Sequence, residues 1–358
     1  LAIKYLDAKR IRGTATERTA LSGATAPPQT SWKEIGRSTL TQAGNVLDTG
    51  TITAKDNLMI LVIGYKSGSA STEELQFNAD DDDHYSERHA ENQTSLGSNV
   101  DRAFIELSIS GSADEFTVLY VRNIAGREKL VTGHTVTNNA AGTGSGTAPK
   151  RWEIVGKWAS DPLSERITRV QVTNPYSGNL AVDSELIVLG CDDDEADSGT
   201  NFWQELLDTE LTTNSTGNAF TTDTFATKKY LMMEFFINAS TDPTYQFGTG
   251  GTIDGGSNYS VRWGNNGASD QTIDGYSAFL FPSAVVLTNI FIINKSDKEK
   301  LCMQDGTAIQ SAGAGSPPNR QEFFGKWVNT SGQINIMKFL KGTVTFYTGT
   351  RIRVWGHD

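Results

Sequence analysis

RWEIVGKW occupies residues 151–158 and RQEFFGKW residues 320–327, so five of eight positions recur 169 residues further on. Other stretches repeat in the same order. SWKEIGRSTL (31–40) corresponds to FWQELLDTEL (202–211), NLMILV from Asn57 to YLMMEF from Tyr230, and HYSER (84–88) to NYSVR (258–262). YVRNIAGREKL (120–130) corresponds to FIINKSDKEKL (291–301), and the two halves close on ELIVLGCD (185–192) and RIRVWGHD (351–358). The offset drifts only between 166 and 174 residues. Such a series is a tandem duplication of a unit of about 160 residues, far longer than a solenoid repeat, so each copy reads as a domain.

Within a copy the apolar runs are short and rich in β-branched and aromatic residues: Leu58–Val62, Phe104–Ile109, Phe116–Val121, Ile167–Val172 and Leu186–Leu189. Clusters of Gly, Asn, Asp, Ser and Thr separate them, as turns separate strands. Arg169-Val170-Gln171-Val172 and Arg351-Ile352-Arg353-Val354 alternate at period two, the pattern of a strand with one wet face. No segment holds a helical period. Roughly eight strands per copy fit an antiparallel sandwich best. The expected fold is all-β: two tandem homologous antiparallel β-sandwich (jelly-roll-like) domains behind an extended N-terminal arm. The arm takes residues 1–30, the first sandwich 31–192, an acidic linker 193–201 and the second sandwich 202–358.

The octet has a physical reading on such a fold. Its glycine marks a bulge or a close backbone approach in a strand. Trp158 and Trp327, with Trp32 and Trp203 near the start of each copy, are large enough to anchor sandwich cores. Arg151 with Glu153, and Arg320 with Glu322, stand two apart on one strand face and can pair there or across to a neighbour. The competing reading of the same residues is a sugar-stacking tryptophan flanked by hydrogen-bonding charges.

The 358 residues carry 31 basic and 42 acidic side chains, a net charge of −11. That balance argues against a general nucleic-acid or anionic-membrane binder. The most apolar stretch, Ala278–Ile293, is interrupted by Pro282, Ser283, Thr288 and Asn289 and is too short to cross a bilayer as a helix; two buried strands are expected there. Cys191 and Cys302 occupy non-equivalent places and read as small hydrophobes. ADDDDHYSERH (79–89) offers carboxylates and imidazoles for a cation. The second copy has GGSNYS there, so the acids read as a local solvated loop. His134 and His357 stand alone. No nucleophile elbow, H-E-x-x-H or phosphate loop occurs, and AAGTGSGTAP and SAGAGSPP read as plain loops. Glu34 with Glu205, or Glu153 with Glu322, are matched carboxylates of the kind a glycosidase pairs, but nothing marks either pair. A non-enzymatic chain with no cofactor and no metal is expected.

The opening YLDAKRIRG, its Thr/Ser/Ala/Pro-rich continuation and SWKEIGRSTL resemble the amino-terminal end of jelly-roll-type decoration and tail-associated structural proteins of tailed viruses of marine bacteria and archaea, which typically begin with a Y-L-x-A-K-R-I-x-G arm. The resemblance implies a virion structural protein on the particle surface, in the capsid, its decoration or the tail. Its partners would be copies of itself, a trimer being one form, other virion proteins and host surface glycans. The arm residues Lys4, Tyr5, Leu6, Lys9, Arg10 and Arg12 would then link subunits: residues 1–30 hold five basic and two acidic side chains, a net of +3, against −14 for the remainder. A tandem carbohydrate- or receptor-binding module is the alternative.

Overall fold

Among the described residues, sixteen strands assemble into two large sheets of eight, and the strand order of one sheet is the strand order of the other. The computed structural model describes residues 31–68, 73–108, 113–175, 178–193, 201–281, 283–309 and 316–358. The arm and nearly all of the acidic linker lie outside the described residues. In the first copy the large sheet runs Lys33–Thr39, Glu185–Cys191, Asn57–Gly64, Glu115–Arg122, Lys129–Thr137, Lys150–Trp158, Tyr85–Glu91, Ser95–Arg102. In the second it runs Gln204–Glu210, Arg351–His357, Tyr230–Asn238, Val285–Ile293, Lys300–Ala308, Asn319–Trp327, Tyr259–Asn265, Gln271–Tyr276. Irregularities are duplicated as well: register slips occur between Glu34 and Gly36 and between Glu205 and Leu207, and again between Tyr85 and Glu87 and between Tyr259 and Val261.

A small antiparallel sheet closes each sandwich. It comprises Val46–Asp48, Val170–Thr173, Glu73–Phe77 and Ile105–Ser108 in the first copy, and Ala219–Thr221, Ile336–Leu340 and Thr244–Thr249 in the second, the last pairing with Thr252–Ile253 and Phe279–Leu280. The chain is thus an all-β protein of two tandem antiparallel sandwiches. More strands form than the roughly eight per copy expected from apolar runs. Ser95–Arg102 (SLGSNVDR) and Gln271–Tyr276 are edge strands with no buried apolar row, so a reading by apolar pattern passes over them.

Each sandwich has its own core between its two sheets, with Leu58, Ile60, Phe77, Tyr85 and Trp158 in one and Phe235, Tyr245, Tyr259, Phe279 and Trp327 in the other. A third core lies between the large sheets. Met59, Leu61, Ile63, Phe116, Val118 and Val136 of the first copy pack against Tyr230, Leu301, Met303, Phe324 and Trp355 of the second. The layers therefore run small sheet, large sheet, large sheet, small sheet. The cause is visible in Asn57–Gly64, NLMILVIG, which is buried on both faces and reads as a continuous apolar run and not as an alternation. The copies are not independent domains on a string.

The octet glycines stand in unbroken register and make no bulge. They mark close approaches instead: a Cβ on Gly156 would come within 2.9 Å of Ile105 Cδ1, and one on Gly325 within 2.7 Å of Phe279 Cε1. Phe279–Leu280 and Val285–Ile293 form strands in the apolar stretch 278–293. Cys302 is buried, Cys191 is half-buried, and neither is bridged.

Candidate functional site

The repeated motifs turn out to be matched polar clasps on the cores. Trp158 Nε1 donates to Asp80 Oδ2 at 2.7 Å, and Trp327 Nε1 to Asp254 Oδ2 at 2.8 Å. The Lys129 and Lys300 ammonium groups stand over these two indoles at 5.6 and 5.9 Å. Tyr85 bridges the backbone of Phe77, and Tyr259 that of Phe247. Asn123 accepts from Ile167 N at 2.8 Å and donates to Lys55 O at 2.9 Å; Asn294 accepts from Ile334 N at 2.7 Å and donates to Lys228 O at 2.9 Å. One reading is corrected here. The acids of residues 79–89 are not all private to the first copy, because Asp254 stands five residues before Tyr259 as Asp80 stands five before Tyr85. Asp80 belongs to the fold.

Strand alternation sends Trp152, Ile154, Gly156 and Trp158 into the first core and turns Arg151, Glu153, Val155 and Lys157 toward the other face. On that face the two octets meet. The Arg151 guanidinium, its side chain fully buried, donates to Glu322 Oε2 at 2.8 Å, and makes ion pairs with Asp270 at 3.0 Å and Glu153 at 3.1 Å. Its carbon centre lies 5.3 Å from the Phe324 ring centroid. Arg320 pairs with Glu322 at 2.5 Å but is 58% exposed. The lysines invert this asymmetry. Lys326 is fully buried and donates to the carbonyls of Asn138, at 3.0 Å, and Ala140, whereas Lys157 is exposed and pairs with Glu128 at 3.0 Å. Burial lowers the Lys326 ammonium below its ordinary value in spite of Glu299 and Asp274 nearby. Each octet therefore meets the seam with a different end.

The loop from Ala140 to Thr147, read as a plain connection, is held by the second copy: Gly142 N donates to Glu299 Oε1 at 2.7 Å and Gly146 N to Asp274 Oδ2 at 2.9 Å. At the far side of the seam Glu185 collects both copies. Its carboxylate accepts from Arg37 at 2.9 Å and Thr39 at 2.6 Å, and from Lys229 at 2.6 Å and the Tyr230 hydroxyl. Burial alone would raise this carboxyl, but the Lys229 ammonium and the surrounding donors outweigh it and hold Glu185 below its ordinary value of 4.5. A group lowered on folding adds stability above its unfolded value, and that stability is lost as pH falls through the folded value. Glu185→Gln should therefore cost about 2 kcal/mol at pH 7, the scale of charge-assisted hydrogen bonds. The gap to wild type should begin to narrow as pH falls below the ordinary value of 4.5 and close once pH has passed below the lowered folded value, as the wild-type carboxyl protonates. Thermal unfolding of both proteins between pH 3 and 7 checks this; a gap that does not change with pH would exclude the latch.

Trp32 and Trp203 do not anchor the sandwich cores as expected: Trp203 is buried in the core between the large sheets and Trp32, half-buried, packs against it, each beside the equivalent aromatic of its copy, with Trp32 6.4 Å from Tyr120 and Trp203 6.0 Å from Phe291. His134 does not stand alone, since it joins Glu153 and Glu322 with ligand atoms within 4.8 Å of one another. Asp80, Asp82 and His84 lie equally close, but Asp80 Oδ2 is already engaged by Trp158 and His84. Glu153 and Glu322 bring carboxylate oxygens within 4.8 Å of each other, and Arg151 contacts both. Although burial would raise Glu322, hydrogen bonds from Arg320 and Arg151 hold it below its ordinary value, so it does not supply the protonated carboxyl a glycosidase needs.

A second feature had no signal in the sequence reading. In the second sandwich a cleft of about 440 Å³ is lined by Trp263, Asn265, Tyr276, Gln304 and Gln321 of the large sheet, together with Asp242 and Lys341. Asn265 and Gln321 face each other in register on paired strands.

No family model matches the chain, and no curated protein sequence does. Among solved structures the chain is similar to the mouse laminin alpha1 chain, domains LG4-5, at 9% identity over 92% of each chain and a TM-score of 0.17. It is also similar to human GIVD cytosolic phospholipase A2, at 6% identity over 77% of this chain and 33% of that one, with a TM-score of 0.10. Likenesses at this level carry no argument about function.

Proposed function

We propose that the chain is a non-enzymatic structural protein of a virus particle, assembling as a homo-oligomer on the particle exterior as capsid, decoration or tail-associated protein. The observation that supports assembly is an apolar corner of the first large sheet that no other described residues cover. The second copy covers only part of that sheet's outer face. Leu130, Val155 and Tyr120 remain 59%, 52% and 39% exposed, and with Trp32 they line an open groove of about 540 Å³. Contiguous exposed apolar surface of this kind marks interaction sites. The groove begins at Trp32, next to the point where the basic arm joins the first sandwich, so an arm reaching a neighbouring copy leaves from beside an apolar contact surface.

Deleting residues 1–28 should leave thermal unfolding of the sandwiches unchanged and weaken self-association at least tenfold, with salt weakening the intact protein more than the truncated one. Mass photometry over a concentration and salt series measures this. An intact chain that stays monomeric throughout would refute assembly, and a truncated chain that assembles equally well would refute the role of the arm. One observation favours a second reading, recognition of a surface glycan: the aromatic and amide-lined cleft of the second sandwich.

A further inference from the structure

We propose that this cleft is a binding site for a neutral pyranose sugar, and that it exists once per chain because the first copy has closed the same place with its own side chains. The proposal rests on the glycan-recognition reading and narrows it to one site and one ligand class.

The floor of the cleft is unusual for a sandwich interior. Gln321 is only 3% exposed, points inward from the octet strand, and has neither its Oε1 nor its Nε2 hydrogen-bonded. Asn265, opposite it in register, has an unpartnered Oδ1. Leaving a buried amide unpaired is costly, so two at the same spot call for a partner that both donates and accepts. Hydroxyl groups do both. Next to the amides, on the same face, lies Trp263, and Tyr276 of the adjoining edge strand also lines the cleft, so aromatic surface borders the hydrogen-bonding floor. A pyranose ring presents that combination, an apolar C–H face edged with hydroxyls. The volume of about 440 Å³ falls within the range of small-molecule sites.

Charge selects the ligand class. Of the ionisable groups lining the cleft, Asp242 and Lys341 are opposite in sign. Glu322 is already held by Arg151 at 2.8 Å, Arg320 at 2.5 Å and the Gln93 amide at 2.9 Å. No net charge is left to recognise a sialylated or sulfated sugar.

The first copy shows what a closed version looks like. Trp152 stands at the position of Gln321 and His89 at that of Trp263. The two rings stack with centroids 4.4 Å apart and planes at 20°, where the second copy has an amide beside an indole. The octets differ at their second residue, W against Q, and that difference separates a plug from a floor.

The test uses the full chain and a panel of methyl α- and β-glucosides, galactosides and mannosides together with N-acetylglucosamine, 3′-sialyllactose and a sulfated galactoside. Saturation-transfer NMR detects binding, and tryptophan fluorescence titration measures affinity and stoichiometry. At least one neutral sugar should bind saturably at one site per chain. Gln321→Trp, copying the plug of the first domain, should weaken it at least tenfold. Because the larger ring could disturb folding, Asn265→Ala and Tyr276→Ala are the second pair, each expected to weaken binding at least tenfold with thermal unfolding unchanged. If no sugar on the panel binds, both the site and the glycan reading fail. Binding that survives all three substitutions, or that shows two sites per chain, overturns the site and leaves the glycan reading standing. Preference for the sialylated or sulfated probe overturns the ligand class.

Discussion

Arg151→Ala is expected to destabilise the chain by about 3–5 kcal/mol, the cost of removing one partner from a buried ionic cluster, whereas Arg320→Ala, at the equivalent octet position, should cost no more than about 1 kcal/mol. The contrast follows from burial. Arg151 is fully enclosed and is the common partner of Glu153, Glu322 and Asp270, so its loss removes the buried charge at their centre and leaves Glu322 only the exposed Arg320 and Asp270 only Arg262 at 3.6 Å. Burial already raises the Asp270 carboxyl above its ordinary value, even with Arg151 and Arg262 beside it. Removing Arg151 would push it further. Arg320 is largely solvated, and Glu322 keeps Arg151 when it is gone. Urea unfolding of the two single variants gives the difference, and a double-mutant cycle of Arg151→Ala with Glu322→Ala should show coupling of about 1–3 kcal/mol. Equal effects at positions 151 and 320 would mean that the copies contribute symmetrically to the seam and that the asymmetric burial has no energetic meaning.

Trp158→Ala and Trp327→Ala should each cost about 3–5 kcal/mol, the usual range for a buried large aromatic. Both indoles are fully buried against a tyrosine and a phenylalanine of their own copy. Each also donates to an aspartate, so Asp80→Ala and Asp254→Ala should cost about 1–3 kcal/mol by leaving a buried N–H without an acceptor. The pairing of effects is the discriminating part. If the tryptophans matter only as ligand-stacking surfaces, all four variants unfold in denaturant like the wild type, and the clasp assignment is lost.

Much of this was legible in the residues. The ordered repetition from Trp32 and Trp203 to Asp192 and Asp358 implied two copies of one fold, and two copies of one fold is what the strand orders show. Alternation implied strands, and turn residues implied antiparallel pairing. The edge strands escaped because Ser95–Arg102 and Gln271–Tyr276 have no buried row to alternate. The Asp80–Asp254 equivalence escaped because the loop around Asp80 is crowded with other acids, which hide the one whose distance from the next tyrosine is kept. The cleft escaped for a different reason: the Trp-to-Gln difference is one of three within the octet and looks like drift until the two positions are seen to be a plug and a floor.

From the sequence came the duplication, the all-β class and the fact that arginine and glutamate of each octet share a strand face; by itself it leaves the octet tryptophans between a core and a sugar-stacking role. Tertiary structure alone decided what lies against that face. Period two assigns a side chain to one side of a sheet, but it carries no information about which other sheet covers that side or how far the cover extends. That the large sheets pack on each other, that Arg151 and Lys326 are buried while Arg320 and Lys157 are solvated, and that Leu130 and Val155 are left uncovered are consequences of one docking between two copies. The same side-chain types at equivalent positions therefore acquire different surroundings, because burial is a property of the pair of surfaces and not of either strand.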